Sequence, residues 1–220
     1  MKSRRTDIKR LTMAAMLCAL AYLVMVLIKI PVVLFLSYEP KDVIIALGGF
    51  IWGPSMALWV SVAVSFVEMV TVSSTGYIGL IMNILSTCSF ACTAALIYKK
   101  KRTLSGALIG LFVGSILMTA LMLGWNYLIT PMYMNIPREA VAALLLPAFL
   151  PFNLIKAMLN SVFTFLLYGP VINALRNTGF IDKSKEQSSA SRKPKYLLIA
   201  ACALVTVACV LGILLLNGTI

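Results

Sequence analysis

Three polar residues in the C-terminal third of the chain are spaced to share one face of a helix. Asn153, Lys156 and Asn160 stand at i, i+3 and i+7 within an otherwise apolar run. An ammonium group in apolar surroundings is costly unless it is paired or hydrogen-bonded. We therefore expect the Lys156 side chain to face the interior of a helix bundle, where it contacts either a ligand or the carboxylate of Glu68.

Three further polar residues interrupt apolar runs elsewhere in the chain, namely Glu68, Asn83 and Asn126. A buried amide can contact a ligand or form a hydrogen bond between helices, and both interpretations remain open for each asparagine. Amides and one lysine suit a neutral, hydrogen-bonding ligand. They suit a metal ion poorly, because too few carboxylates converge for a cation site.

The composition indicates that the elements carrying these residues lie in a membrane. Of the 220 residues, 61% are hydrophobic and 12% are charged, against about 45–50% and about 25% in soluble domains. A soluble globular protein is therefore excluded. The five cysteines lie within apolar runs without a CxxC pair and are interpreted as packing residues. The net charge of +12 is attributed to membrane topology, and no nucleic-acid partner is expected.

The hydropathy pattern predicts an all-α, polytopic membrane helix bundle. Seven helices are expected, over residues 11–30, 42–52, 55–72, 78–98, 104–129, 152–175 and 196–215. The first lacks a small-x-small cleavage site and is expected to be retained rather than removed as a signal peptide. Residues 31–41 are expected to form a loop, Pro131 to end the fifth helix and Gly169-Pro170 to kink the sixth. The chain then divides into a six-helix core (1–176), a basic linker (177–195) and an additional C-terminal transmembrane helix (196–220).

The basic residues predict how this bundle is oriented in the cell membrane. Fifteen of the 19 lysines and arginines precede the first helix, follow the fourth or follow the sixth. Those segments share one side of the membrane, and basic residues concentrate in cytoplasmic loops. The N-terminus is thus expected in the cytoplasm and the C-terminus outside. Glu68, Asn83, Asn126 and Lys156 then lie in the outer half of the membrane, which predicts a cavity open to the outside, and Asp42 is expected to cap the second helix at the outer surface.

Aromatic residues crowd the same outer zone: Phe35, Tyr38, Tyr77, Trp125, Tyr127, Tyr133, Phe149 and Phe152. They are typical of an aromatic belt at the membrane interface, and some of them could instead stack on a flat ligand.

Several familiar catalytic patterns are missing from the sequence. It contains no histidine, no G-x-x-x-x-G-K-[ST], no G-x-S-x-G and no paired intramembrane carboxylates. We therefore expect no enzymatic activity, and the energy for any pumping must come from another protein.

Two patterns of small residues permit close approach of helices. Gly106, Gly110 and Gly114 repeat every four residues on the fifth helix, and this face is expected to pack within the chain. Ala15 and Ala19 have the same spacing on the first helix.

Longer segments carry a resemblance to a known family. They are DVIIALGGFIWGP, Glu68, LIMNILS, YKKKRTLSGALIGLFVGS, NYLITPMY and PFNLIKAMLNSVFTFLLY. Over residues 8–175 the chain resembles the substrate-binding S components of energy-coupling factor (ECF) vitamin transporters, most closely the riboflavin-specific type. The seventh helix and the polar loop SYEPKD depart from that pattern.

The resemblance implies a six-helix core that binds riboflavin from outside, in a cavity covered by the first outer loop. It also implies association with an ECF transmembrane coupling protein, through Ala15 and Ala19, and with two cytoplasmic ATPases. Family flavin contacts correspond to Asn126, Asn153 and Lys156. Together with the residues argued above, the expected substrate-binding set is Tyr38, Glu68, Asn83, Asn126, Asn153 and Lys156. Riboflavin is expected as the transported ligand, with no resident cofactor, metal or catalytic residue.

Alternative functions remain at this stage. The chain could be an S component for another vitamin or flavin, such as FMN, thiamine or folate. It could also be a membrane scaffold without a ligand, in which case the outer polar residues should pair with one another and leave no cavity.

Overall fold

The computed structural model describes residues 2–73, 75–177 and 195–216, and these ranges are almost entirely helical. The helices are α1 Lys2–Leu27, α2 Lys41–Trp52, α3 Pro54–Thr71, α4 Gly76–Thr87, α5 Thr93–Lys100, α6 Leu104–Met134, α7 Arg138–Leu144, α8 Leu150–Asn177 and α9 Lys195–Leu216. Two π-helical turns, Cys88–Cys92 and Leu145–Phe149, join α4 to α5 and α7 to α8. The predicted all-α bundle is confirmed. Of the predicted linker, residues 178–194 lie outside the described ranges.

The described helices have the length and surface of membrane-spanning segments. Five are long and apolar enough to cross a bilayer: Ile8–Leu27, Pro54–Thr71, Gly76–Lys100, Ser105–Met134 and Arg138–Ala174. Their outward-facing side chains are large and apolar, as at Leu11, Trp59 and Phe112. Lipid offers no hydrogen-bond partners to backbone N–H and C=O groups. These segments can cross the membrane because an α-helix pairs its backbone groups internally. The chain is therefore a multi-pass membrane protein.

The helix α2 lies where the sequence predicts it but is too short to cross the membrane alone. Its 12 residues span about 18 Å at 1.5 Å per residue, against a hydrocarbon core of about 30 Å. Gly53 ends it with φ 96° and Pro54 begins α3 directly. The first turn of α2 contacts the last turns of α3, through Lys41 and Glu68. The two helices are therefore antiparallel, and α3 returns the chain to the side from which α2 started.

The segment predicted as a plain loop contains a β-hairpin. Strand β1, Ile30–Val33, pairs antiparallel with β2, Leu36–Tyr38, through the pairs Ile30–Tyr38, Pro31–Ser37 and Val33–Leu36. Leu34 provides the reversal with φ 51°. Strands of four and three residues are too short to give a hydropathy signal that distinguishes them from a loop.

The expected helix stop at Pro131 is wrong, because α6 continues to Met134. Pro131 removes one backbone donor, yet such a loss is tolerated in membrane helices when neighbouring groups satisfy the freed carbonyl. The helix instead ends at Asn135, whose left-handed backbone (φ 52°) lets its N–H donate to the Pro131 carbonyl. Helix α8 likewise continues across Pro170.

The glycine face of α6 packs within the chain, as predicted. A Cβ atom added to Gly110 would lie 2.7 Å from the carbonyl oxygen of Ala94, and one added to Gly114 would lie 2.6 Å from that of Phe90. Both obstacles are backbone atoms of the neighbouring π-turn and α5. These glycines therefore set the distance between the two helices.

Gly110→Ala is expected to lower the free energy of unfolding by about 1–3 kcal/mol, because the added methyl group forces two backbones apart. Gly124 lies on the same helix with open space around it, and Gly124→Ala serves as the matched control. Alanine favours a helix over glycine by about 1 kcal/mol, so the control should be neutral or stabilising. Unfolding in detergent, followed by circular dichroism, measures both. Equal stability of the two variants would contradict the close approach.

Candidate functional site

Three amines and three carboxylates converge at the end of the bundle where α2 begins. They are contributed by the hairpin segment, α2, α3 and α8, and their charges balance: Lys29, Glu39, Lys41, Asp42, Glu68 and Lys156. Five of the six are buried, and Lys29 is the exposed member. Buried charges are tolerated when they are paired and hydrogen-bonded, and the pairs form two groups.

The first group is centred on Lys41, whose side chain is 1% exposed. Its Nζ atom contacts Glu39 Oε2 at 2.8 Å and also donates to Glu68 Oε2. Asn83 Nδ2 donates to the other oxygen of Glu68 at 3.0 Å, and Lys29 Nζ lies 3.2 Å from Glu39 Oε1. Burial disfavours the charged form of Glu39, but the ammonium groups of Lys41, Lys156 and Lys29 together outweigh this and hold the pKa of Glu39 below its usual range.

The second group is centred on Asp42, which is completely buried. Its Oδ1 accepts from Thr87 Oγ1 at 2.6 Å, and its Oδ2 accepts from Asn160 Nδ2 at 3.1 Å. Lys156 Nζ lies 3.4 Å from the same Oδ2. Two expectations are thereby corrected. Asp42 joins α2, α4 and α8 in the interior rather than capping α2 at the surface, and the carboxylate beside Lys156 is Asp42 rather than Glu68, whose oxygens are occupied by Lys41 and Asn83.

The asparagines divide between the two interpretations left open by the sequence. Asn83 and Asn160 donate to carboxylates on other helices and so link helices. Asn126 and Asn153 donate instead to carbonyls four residues earlier in the chain, those of Met122 at 2.8 Å and of Phe149 at 2.7 Å. This leaves the second pair without an interhelical bond through their amide nitrogens.

A cavity of about 60 Å³ lies between these groups, room for a few water molecules. Five of the six predicted site residues line it: Glu68, Asn83, Asn126, Asn153 and Lys156. The hairpin segment covers it with residues 35–37 and Glu39, and the Phe152 ring forms part of its wall. The described residues contain no cluster of three metal-ligating side chains. Such a lining can donate to and accept from a polar ligand and can stack on a flat one.

Tyr38 is the predicted site residue that the structure does not place on the cavity wall. Its ring lies in an apolar cluster that joins the hairpin to α7, α8 and α9. Burial raises the pKa of its hydroxyl, with a smaller contribution from the Asp42 carboxylate. Its hydroxyl has no hydrogen-bond partner among the described residues.

The aromatic residues predicted for the outer zone include some that line the cavity and some that are exposed on the surface of the bundle. Phe35 and Phe152 line the cavity, and Phe35 meets Tyr133 edge to face at 5.4 Å. Tyr77 and Tyr127 are exposed on the outer surface, as belt residues are.

Sequence reasoning did not include Lys29, Glu39 and Lys41 in the site. A usable signal was present for Glu39 and Lys41, since the loop SYEPKD is more polar than the family pattern and lies between two apolar elements. Charged residues in that position are expected to find partners.

The fold and the site together define a class of protein: a membrane-embedded binding protein with a polar, hairpin-covered cavity at one end of a helix bundle. The family model described as "ECF transporter, substrate-specific component" matches residues 9–168. The chain therefore belongs to the family of ECF transporter S components, which bind substrates and are not enzymes.

Two relatives agree with this membership. The riboflavin transporter RibU of Staphylococcus aureus (strain TCH60) is 31% identical over 177 residues, which cover 76% of this chain and 93% of the relative. A solved chain described as the S component of a bacterial ECF transporter is 29% identical, with a TM-score of 0.67, covering 77% of this chain and 99% of that chain.

Proposed function

We propose that this S component binds riboflavin at the hairpin-covered cavity and delivers it to an ECF module made of a membrane coupling protein and two ATPases. The observation that carries the proposal is that Asn126, Asn153 and Lys156 line one cavity together with the Phe35 and Phe152 rings. Amide and amine donors suit the carbonyl and hydroxyl oxygens of a flavin, and the rings suit its planar system. The relative named as a riboflavin transporter supports the same ligand.

The charge balance of the site favours a neutral vitamin over a charged one. Each of the three lysines is already paired with a carboxylate, so the site offers no excess of either sign. FMN and folate, as anions, and thiamine, as a cation, would each disturb this balance. Phosphate recognition in particular relies on cations that are free to contact it.

Fluorescence quenching of riboflavin by the purified protein tests the ligand. We expect saturable quenching, and we expect unlabelled FMN, thiamine and folate to compete poorly. Stronger competition by one of these three would transfer the proposal to that vitamin. Absence of any saturable ligand would favour a scaffold, although the cavity argues for a binding protein.

We further propose that the cavity faces the outside and the N-terminus the cytoplasm. The loop between α5 and α6 and the start of α1 carry dense positive charge, and both lie at the end of the bundle opposite the cavity. Basic loops are retained in the cytoplasm. The cavity is then presented to external substrate, and the opposite end to cytoplasmic ATPases.

The surface of α1 supports the proposed contact with the coupling protein. Ala15 and Ala19 are exposed, whereas Ala14 and Cys18 pack against the core of the chain. Small exposed residues at this spacing allow another helix to approach closely. Because the chain has no P-loop, it should bind ligand alone but accumulate it only with its partners.

Ala15→Trp and Ala19→Trp are expected to abolish uptake in cells that contain the coupling protein and ATPases, while riboflavin binding to the purified variant stays at the wild-type level. The indole blocks close approach of a partner but meets no residue of this chain's core. Leu20→Trp, at an exposed position on another side of α1, is the control and should retain uptake. Lost binding in the alanine variants would show instead that this face packs internally.

A further inference from the structure

Helix α9 docks on the protein through one face. Cys202, Cys209 and Ile213 are buried along it, whereas Leu204 and Leu215 on the other faces are 71% and 62% exposed. The contact is close, since a Cβ atom added to Gly212 would lie 2.9 Å from Ile155 Cδ1 of α8. The family match ends at residue 168, so this helix lies beyond the part of the chain that defines the family.

The surface under α9 includes the hairpin that covers the cavity. Helix α9 contacts both α8 and β1. A single apolar cluster joins its C-terminal half to both strands and to the cavity wall: Val32, Leu36, Tyr38, Val141, Phe149, Phe152, Leu159, Cys209 and Ile213. Leu36 and Phe152 belong to this cluster and also line the cavity. The cover is thus packed against α9 through this cluster.

The closed cavity is too small for a flavin. Pockets for ligands of that size have volumes of about 300–1,000 Å³, against about 60 Å³ here. The cover must therefore move for a ligand to enter. A two-stranded hairpin is marginal by itself, so its position depends on what holds it. These supports are the Lys29–Glu39–Lys41 ion pairs, the Phe35–Tyr133 ring contact and the apolar cluster that the hairpin shares with α7, α8 and α9.

One buried group on the hairpin disfavours the closed position of the hairpin. The Tyr38 hydroxyl is buried in the same region without a hydrogen-bond partner among the described residues, and an unmet donor favours a state in which it reaches water. The apolar contacts of the hairpin, those with α9 among them, must outweigh this preference for the cover to stay closed.

We propose that α9 is a brace that holds the β1–β2 hairpin closed over the cavity and thereby sets the rate at which ligand leaves it. The proposal rests on the proposed binding function, and it assigns a role to the helix that follows the family core. Weakening the buried face of α9 should raise the population of the open state. Removing the unmet hydroxyl should lower it.

The test measures riboflavin dissociation from the full-length protein in nanodiscs, by recovery of flavin fluorescence after dilution. We expect Ile213→Ala to accelerate dissociation about ten-fold, as loss of a buried side chain does for a packed contact, and Cys209→Ala to do so less. Leu215→Ala, on the exposed side of α9, is the matched control and should leave the rate unchanged. Equal rates in the buried-face and control variants would overturn the brace.

Tyr38→Phe provides a change of opposite sign. It keeps the ring and removes the unpaired hydroxyl, so dissociation should slow. Faster dissociation would contradict the idea that the Tyr38 hydroxyl disfavours the closed hairpin, and would indicate that this hydroxyl binds the ligand.

A readout without ligand separates the brace from the proposed function. Ser37→Cys places a thiol on the cavity side of the hairpin, and its labelling by a water-soluble maleimide reports opening. Ile213→Ala should speed this labelling relative to Leu215→Ala. If riboflavin does not bind but labelling still depends on Ile213, the proposed ligand is wrong and the brace stands. If riboflavin binds and labelling is the same in both variants, the brace is wrong.

Discussion

Lys41→Met should lower the free energy of unfolding by about 3–5 kcal/mol, the usual cost of removing one partner from a buried ion pair. Lys41 is the shared cation of Glu39 and Glu68, and its side chain is 1% exposed. Methionine matches most of its volume, so the loss is one of charge. Glu68 would keep only the amide of Asn83 as a hydrogen-bond donor, inside the bundle.

Two further variants test the cause of that effect. In Lys41→Met combined with Glu68→Gln, the unpaired charge is gone, and we expect most of the stability to return. Lys29→Met breaks the exposed pair with Glu39 and should cost less than about 1 kcal/mol. Chemical unfolding in detergent micelles compares the wild type with these three variants. Similar stability of Lys41→Met and Lys29→Met would show that the Lys41 pairs contribute little.

Lys156→Met should weaken riboflavin binding about 10- to 100-fold. A hydrogen bond from a charged donor contributes about 1.5–3 kcal/mol, and each 1.4 kcal/mol is a factor of ten in affinity. Lys156 lines the cavity, and its ammonium lies 3.4 Å from Asp42. It can therefore donate both to that carboxylate and to a ligand oxygen.

The alternative is that Lys156 only neutralises Asp42. Lys156→Met combined with Asp42→Asn distinguishes the two, because the double variant removes the unpaired carboxylate. The new amide oxygen can still accept from Thr87. Its nitrogen can donate to Asn160 Oδ1, which has no partner among the described residues of the native site, once the Asn160 amide turns over. We expect the double variant to regain stability without regaining affinity. Leu154→Met, on the exposed side of α8, is the control. Wild-type affinity in the single Lys156→Met variant would rule out ligand contact.

Local sequence patterns were sufficient for the parts of this protein that depend on near neighbours. The spacing of Asn153, Lys156 and Asn160 predicted a common face because a helix repeats every 3.6 residues, and these residues do point to one region of the interior. The spacing of Gly110 and Gly114 predicted close packing for the same reason. Chain connectivity, with basic residues in alternate loops, was enough to predict a common depth for Glu68, Asn83 and Asn126, which line one cavity.

Which polar side chains pair with one another could not be predicted in the same way. Asp42 and Asn160 are 118 residues apart in sequence, and Asp42 and Thr87 are 45 apart. Several carboxylates lay at a plausible depth for Lys156, and depth alone does not distinguish between neighbours around a bundle. Glu68 was the wrong choice because α2 inserts Lys41 beside it, and that position depends on the tight turn at Gly53 and on the hairpin before α2.

The sequence by itself thus determined that this is an all-α membrane protein with polar groups gathered at one end, since burial cost and helical periodicity act along the chain. Only the tertiary structure decided which charges pair, that the segment before α2 is a hairpin covering the cavity, and that α9 packs against that hairpin. Those outcomes come from contacts between elements distant in the chain. Their energies depend on how the helices pack, which no local pattern encodes.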